Sequence, residues 1–274
     1  MHVLDVTIPG TWPAVPERGE GLAARQMLSH LEASFLEANV ALNLFEEADR
    51  RLSDSLPTME ESQADFERRS QIFREVEIEF AGGGGEFGPL RISFEDRMRL
   101  NAEVDSRFNQ EKRRNGHVPR QFRQSAVFLA AKAFLHALDS FDKFLKVLAA
   151  QPGTPEALQE FPERMSLTFP DLRGVRNTQQ HLEDRSRGLG APQRGRGAQP
   201  MNIQPVNAGG IYSPGGGVIV RSHLNGNRFG CTLSDGSFGE VEVSLHSLQQ
   251  LSELLHGVLN CFEWRGPARS SPGH

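Results

Sequence analysis

Residues 126–150 read AVFLAAKAFLHALDSFDKFLKVLAA, and this stretch has the strongest helical pattern in the chain. Additional apolar side chains beside the main stripe, among them Phe128, Leu129, Leu135 and Phe144, widen the apolar face over much of the circumference. Such a helix is typical of the centre of a helical bundle, so the sequence predicts a mainly α fold. The main stripe repeats in steps of four and three and consists of Val127, Ala131, Phe134, Leu138, Phe141, Leu145 and Leu148.

Further helices are predicted on both sides of this stretch. A strong periodic pattern, with Leu28, Leu31 and Phe35 at its start, predicts a helix that precedes Pro57. A second helix is expected to end at Phe80, and a third, with a weaker stripe, covers 94–114. After the turn QPGTPEA, in which Thr154 is the expected N-cap, a short helix is predicted over 155–167. A last helix of the bundle is predicted from Pro170 to Gly188. The apolar residues expected on the second and third helices are Phe66, Phe73, Val76, Phe80, Met98, Val104 and Phe108.

The sequence after residue 202 has a different pattern, which predicts strands. The segments GGVIVRSH, NRFGCTL and SFGEVEVS are separated by LNGN and SDGS. Asn-Gly and Asp-Gly are strong hairpin signals because the central residues of such turns adopt positive φ. We therefore predict a small antiparallel β-meander, followed by a C-terminal helix that begins after Ser244.

These patterns predict five segments. An N-terminal loop (1–20) precedes the helical bundle (21–187), and a Gly/Arg/Pro-rich connector (188–202) leads to the β-meander plus helix (203–264) and a tail (265–274). No signal peptide is evident, and the most apolar run is too short to span a bilayer. We expect a soluble, cytoplasmic protein without membrane association. Cys231 and Cys261 lack metal-ligand spacing, so we expect neither a metal nor another cofactor.

The stretch GVRNTQQHLEDRSRG, residues 174–188, contains the candidate site. Its spacing alone is uninformative, because RQMLSH at residues 25–30 also places an arginine five positions before a histidine. The helical context is more specific. Leu172, Val175 and Leu182 form the apolar stripe of the predicted helix, whereas Asn177 and His181 are i,i+4 neighbours on its polar face.

The segment RNTQQH on a late helix resembles the signature of the HEPN superfamily (higher eukaryotes and prokaryotes nucleotide-binding). The apolar helix FLHALDSFDKFLKVL before it is also similar to that family, and the resemblance covers roughly residues 22–187. It implies a metal-independent endoribonuclease, in bacterial defence or stress, that pairs two motifs across a homodimer. The implied products are a 2′,3′-cyclic phosphate and a 5′-hydroxyl.

The resemblance also implies roles for the motif residues. Arg176 would contact the scissile phosphate, His181 would be the general acid or base, and Asn177 would orient the histidine or the phosphate. One departure concerns control by adenylylation, for which family toxins have a tyrosine two residues after the histidine. Glu183 occupies that position here, and the only tyrosine is Tyr212.

A basic segment follows the motif and supports a phosphate partner. Residues 185–234 contain six arginines and no acidic residue, although the whole chain has a net charge of −5. Such segregation favours attraction of RNA toward the motif, although an Arg/Gly linker that is simply soluble has the same composition. The residues expected to bind RNA or phosphate are Arg173, Arg185 and Arg187.

Two other functions fit the same sequence. The long apolar stripes and the open edges of the β segment also suit a non-catalytic helical scaffold that binds a protein partner through the β appendage. A nucleotide-sensing HEPN domain would use the same site residues but bind without turnover. A homodimer is the expected assembly, because C2 symmetry is the commonest one.

Overall fold

The computed structural model describes residues 2–15, 19–80, 93–192 and 197–273. The fold is mainly α, as the sequence predicts, with small antiparallel sheets and a C-terminal helix. In the described ranges, no helix is both long and apolar enough to cross a membrane. The α-helices of these ranges are α1 (Glu20–Ser53), α2 (Met59–Phe80), α3 (Phe94–Arg114), α4 (Arg120–Ala149), α5 (Phe161–Thr168), α6 (Leu172–Gln180), α7 (Leu182–Ser186) and α8 (Leu245–Asn260).

The strands are short and form antiparallel pairs, except for one three-stranded sheet. A 3₁₀ helix, Glu156–Glu160, precedes α5, which agrees with the short helix predicted over 155–167. Thr154 is not its N-cap, because the Thr154 hydroxyl donates to the Gln151 carbonyl instead. The strands are β1 (Val6–Ile8), β2 (Trp12–Pro13), β3 (Leu189–Pro192), β4 (Ala198–Pro200), β5 (Val206–Ala208), β6 (Ile211–Ser213), β7 (His223–Asn225), β8 (Arg228–Thr232), β9 (Phe238–Glu242), β10 (Trp264–Arg265) and β11 (Arg269–Ser271).

The chain forms two compact units, and the division falls within α1 and α4. One unit contains residues 48–126, where α2 and α3 pack through Ile72, Val76, Leu100 and Val104. The apolar face predicted for α2 is wrong in part: Phe66 is 73% exposed, and Phe80 is exposed as well. Ion pairs between charged side chains of α2 and α3, such as Arg68 with Glu111, flank the small core instead.

The other unit contains residues 1–47 and 127–274, and α4 is central to its core. Every residue of the main α4 stripe is buried, which confirms the strongest prediction from the sequence. Leu129, which was expected to widen that stripe, is exposed. The ring of His30 on α1 stacks on Phe144 with 4.4 Å between the ring centroids, so the two helices are neighbours.

The three-stranded sheet β7-β8-β9 is the predicted meander. Its first strand lies later than expected, because β7 begins at His223 and the hairpin turn follows Asn225. Gly226 and Gly236 have positive φ, as the two turn signals predict, whereas Asn225 and Asp235 do not, and Asn225 is the last residue of β7. Phe229 and Cys231 of β8 are fully buried, and the Phe229 ring packs edge-to-face on Phe128 of α4. The meander therefore shares the core of its unit.

The chain termini correct two of the sequence predictions. The expected N-terminal loop contains β1 and β2. β1 pairs with β11 of the expected tail, and β2 pairs with β10, which lies at the start of that tail. Arg269 and Ser271 of that tail also bind the Glu32 carboxylate on α1. The expected connector contains the β3–β4 pair, and the β5–β6 hairpin is an additional element that the sequence patterns did not indicate.

Replacing Ser244 with alanine is expected to destabilise the protein by about 1 kcal/mol, the usual cost of losing an N-cap hydroxyl. The Ser244 hydroxyl accepts a hydrogen bond from the Ser247 amide at 3.2 Å at the start of α8. Chemical denaturation monitored by circular dichroism measures the change. Ser244→Asp retains an acceptor and is the matched control; equal stability of all three proteins would contradict the capping role.

Candidate functional site

The motif helix is shorter than the sequence predicts. α6 ends at Gln180, and α7 begins at Leu182, so the predicted continuous helix to Gly188 is broken at His181. The His181 backbone has φ −123° and ψ 43°, and its amide donates to the carbonyls of Asn177 and Thr178. Because of this break, helical geometry does not determine the direction of the His181 side chain.

The β-meander holds α6 through polar contacts along one side of the helix. The Asp171 carboxylate, just before α6, accepts a hydrogen bond from the Glu240 amide at 3.1 Å. The buried Thr178 hydroxyl donates to the Thr232 carbonyl at 3.1 Å. Gln179 donates to the Arg221 carbonyl at 2.8 Å. The β appendage therefore supports the motif helix inside the unit that contains it.

Arg176 extends from α6 to two side chains of α4. Its Nε lies 3.5 Å from Oδ2 of Asp139, a side chain that is almost fully buried. Its Nη2 lies 3.1 Å from Nδ1 of His136. Since a guanidinium has N–H donors and no acceptor, Arg176 donates and His136 accepts. An arginine and a histidine, the residue types that suit phosphate chemistry, thus meet at the surface of α4.

The α4 side of this site was missed by the sequence analysis. Asp139 and Asp142 are buried although they lie in the most apolar helix, and each binds a lysine one turn later. Lys143 Nζ lies 2.6 Å from the Asp139 carboxylate. A buried carboxylate requires such partners. An aspartate within an apolar helix was therefore the sequence feature that could have identified this side of the site.

Asn177 and His181 lie elsewhere on α6 and at its end. Both are exposed, as is Arg173. The His181 side chain is 57% exposed, and its Nδ1 lies 3.8 Å from a Glu183 carboxylate oxygen. The contacts of the described residues join Arg176 to His136 rather than to His181.

Several arginines of the basic segment (residues 185–234) are buried or paired with acidic residues, so they are less available to bind RNA than the composition of the segment suggests. Arg185 is only 2% exposed, so it does not fit the expected role in RNA binding; one of its N–H groups donates to the Leu189 carbonyl. Arg187 is exposed and pairs with Asp184. Arg228 pairs with Glu240 and Glu242 of β9. Arg194 and Arg196 lie outside the described residues.

Two further groups carry side chains of chemically reactive types. His181, Glu183 and Asp184 place potential ligand atoms within 4.8 Å of one another. The cluster is open to water and Asp184 already binds Arg187, so we assign no metal to it. Burial raises the pKa of the Cys231 thiol to about 11, so this thiol is neutral near pH 7 and a poor nucleophile.

Comparison with protein-family models, curated proteins and solved structures finds no match to this chain.

Proposed function

We propose that this protein is a metal-independent endoribonuclease, in bacterial defence or stress, that uses Arg176 to bind the scissile phosphate. The observation that supports this proposal best is the hydrogen bond between Arg176 and His136 at the surface of α4. Arginine stabilises negative charge on a phosphate, and histidine transfers protons near neutral pH. Together they suit attack by the RNA 2′-hydroxyl on the adjacent phosphodiester.

Asp139 explains why Arg176 is placed for this role. The buried Asp139 carboxylate lies beside Nε of Arg176 and also binds Lys143. The carboxylate therefore has two cationic partners. The Arg176 side chain is therefore anchored at Nε, while its terminal N–H groups extend toward His136. Such preorganised donors stabilise the charge that develops on the phosphate oxygens in the transition state.

The surface of α4 supports a polyanionic substrate. Lys132, His136 and Lys143 are separated by four and seven residues and therefore lie along one face of the helix. Arg176 joins this face through His136. Lysines along a helix face beside an arginine favour a phosphate backbone without selecting its sequence.

The proposal includes a homodimer, in which His181 and Asn177 of one protomer act at Arg176 of the other. This arrangement is the one that the HEPN resemblance implies. The exposure of His181 and Asn177 supports it, since side chains that complete a site across an interface must be accessible in a single chain. C2 symmetry would generate two such composite sites.

The purified protein is expected to cleave single-stranded RNA in the presence of EDTA. The products should have 2′,3′-cyclic phosphate and 5′-hydroxyl ends, because the 2′-hydroxyl is the nucleophile. Labelled oligonucleotides resolved on denaturing gels measure the rate, and a 2′-deoxy substitution at the cleaved position is the matched control. Cleavage of the 2′-deoxy substrate, or no cleavage of any RNA, would contradict the proposal; binding without turnover would favour the nucleotide-sensing alternative.

The dimeric arrangement is tested by mixing two inactive variants. An equal mixture of Arg176→Ala and His181→Ala is expected to recover about a quarter of the wild-type rate. Half of the dimers in the mixture are mixed, and each mixed dimer has one intact site of the two. Light scattering of the same samples gives the oligomeric state. A monomer, or a mixture as inactive as each variant alone, would contradict the composite site.

A non-catalytic interaction protein is the second candidate, and one observation favours it. Phe66, Phe73 and Phe80 recur every seven residues on α2 and are exposed, so they form an apolar stripe on one face of the helix, as a partner-binding surface would. The scaffold reading predicts that Arg176→Ala changes neither RNA cleavage nor RNA binding. The cleavage assay separates the two candidates directly.

A further inference from the structure

We propose that His136, which lies outside the motif, is a catalytic residue that shares the phosphate site with Arg176 in the same protomer. This inference rests on the proposed function. It follows from three observations: His136 is exposed, its Nδ1 contacts Arg176 Nη2 at 3.1 Å, and Arg176 is anchored on its other side by Asp139.

The contact with Arg176 determines the tautomer of His136. The guanidinium can only donate, so Nδ1 must offer its lone pair and the ring proton must be on Nε2. In this contact the basic nitrogen of His136 therefore points at the arginine. A base held beside a phosphate-binding residue is correctly placed for the hydroxyl that attacks that phosphate.

Substrate binding would release this base. When a phosphodiester oxygen accepts the Arg176 hydrogen bond, the Nδ1 lone pair becomes free for the neighbouring 2′-hydroxyl. His136 then takes the proton of that hydroxyl, O2′ bonds to phosphorus, and the P–O5′ bond breaks. His181 of the other protomer, which the proposed function places at this phosphate, gives a proton to the departing O5′, and a water molecule then carries the proton from His136 to His181. The net change is RNA to a 2′,3′-cyclic phosphate and a 5′-hydroxyl.

The test compares two substitutions of His136. Asparagine places a side-chain oxygen near the Nδ1 position, so His136→Asn retains an acceptor for Arg176 but cannot transfer a proton, whereas His136→Ala loses both properties. We expect both variants to cleave RNA about 100- to 10,000-fold more slowly than wild type in EDTA. A wild-type rate for His136→Asn would overturn the catalytic role, and if only His136→Ala were slow, His136 would merely position Arg176.

A measurement independent of cleavage separates this inference from the proposed function. The wild-type protein, labelled at its histidine rings, is titrated with a 2′-O-methyl RNA oligonucleotide and followed by NMR; His136→Asn identifies the His136 signal. We expect this signal to shift in wild type and to stay unchanged in Arg176→Ala. A shift without any RNA cleavage would sustain the phosphate site and refute the ribonuclease. An unshifted signal in a protein that cleaves RNA would refute the inference and leave the ribonuclease intact; His181→Asn then tests the motif histidine.

Discussion

Replacing Arg176 with alanine is expected to lower metal-free RNA cleavage about 100- to 1,000-fold, the usual effect of removing one preorganised donor to a transition state. The Arg176 guanidinium contacts both the buried Asp139 carboxylate and the His136 ring, so alanine at this position would remove both contacts. Single-turnover rates on a labelled RNA oligonucleotide in EDTA measure the effect. Arg176→Lys should be intermediate, because lysine retains the charge but not the planar pair of donors.

The matched control for Arg176 is Arg173→Ala. Arg173 lies one turn earlier on α6 and is exposed. Its loss should lower cleavage less than about tenfold, and the difference from wild type should diminish at high salt, as for a general phosphate contact. Thermal unfolding of Arg176→Ala must be measured in parallel, because Asp139 retains only Lys143 among its cationic partners. Equal rates for Arg176→Ala and wild type would exclude Arg176 from the reaction.

Replacing Phe229 with alanine is expected to destabilise the protein by about 3–5 kcal/mol, the range for a large aromatic side chain removed from a core. Phe229 is fully buried in β8, and its ring lies 6.2 Å from the Phe128 ring at an angle of 74°. The same strand ends at Thr232, whose carbonyl accepts the hydrogen bond of Thr178 on α6. Loosening β8 should therefore weaken the support of the motif helix. Urea denaturation measures the free energy of unfolding.

Tyr212→Ala is the control for Phe229, since Tyr212 is 73% exposed in β6. Its substitution should change the free energy of unfolding by less than about 0.5 kcal/mol. A double-mutant cycle with Phe128→Ala isolates the ring–ring contribution, expected near 0.5–1.5 kcal/mol. If Phe229→Ala cost less than about 1 kcal/mol, the β-meander would not share the core of its unit.

Strong local patterns translated directly into structure. The stripe of α4 is buried throughout, and the meander turns lie at Gly226-Asn227 and Asp235-Gly236. The weaker stripes were correct only in part: Val76, Val104 and Phe108 pack in the small core, whereas Phe66, Phe80 and Met98 are exposed. Periodicity alone does not identify which face of a helix has a neighbour. On α2, Ile72 and Val76 are buried while Phe66 is exposed. The pairing of the two chain ends was missed for a related reason: strands of two or three residues have no periodic pattern.

The candidate site was predicted in part. The sequence pattern indicated Arg176 as a candidate residue. The same pattern predicted one continuous helix over 170–188 with His181 on its polar face. The turn of the chain at His181 ends that helix, and the partner of Arg176 comes from another helix, forty positions earlier. His136 could not be associated with Arg176 from spacing, since the distance between helices depends on packing rather than on sequence separation.

The sequence by itself determined the mainly α fold, the central helix, the meander and the location of one arginine, because local apolar periods and turn residues act over a few positions. Only the tertiary structure joined Arg176 to Asp139 and His136, buried Arg185 and supported α6 on the meander. These are contacts between segments far apart in the chain, and side-chain packing and the need to pair buried charges determine them.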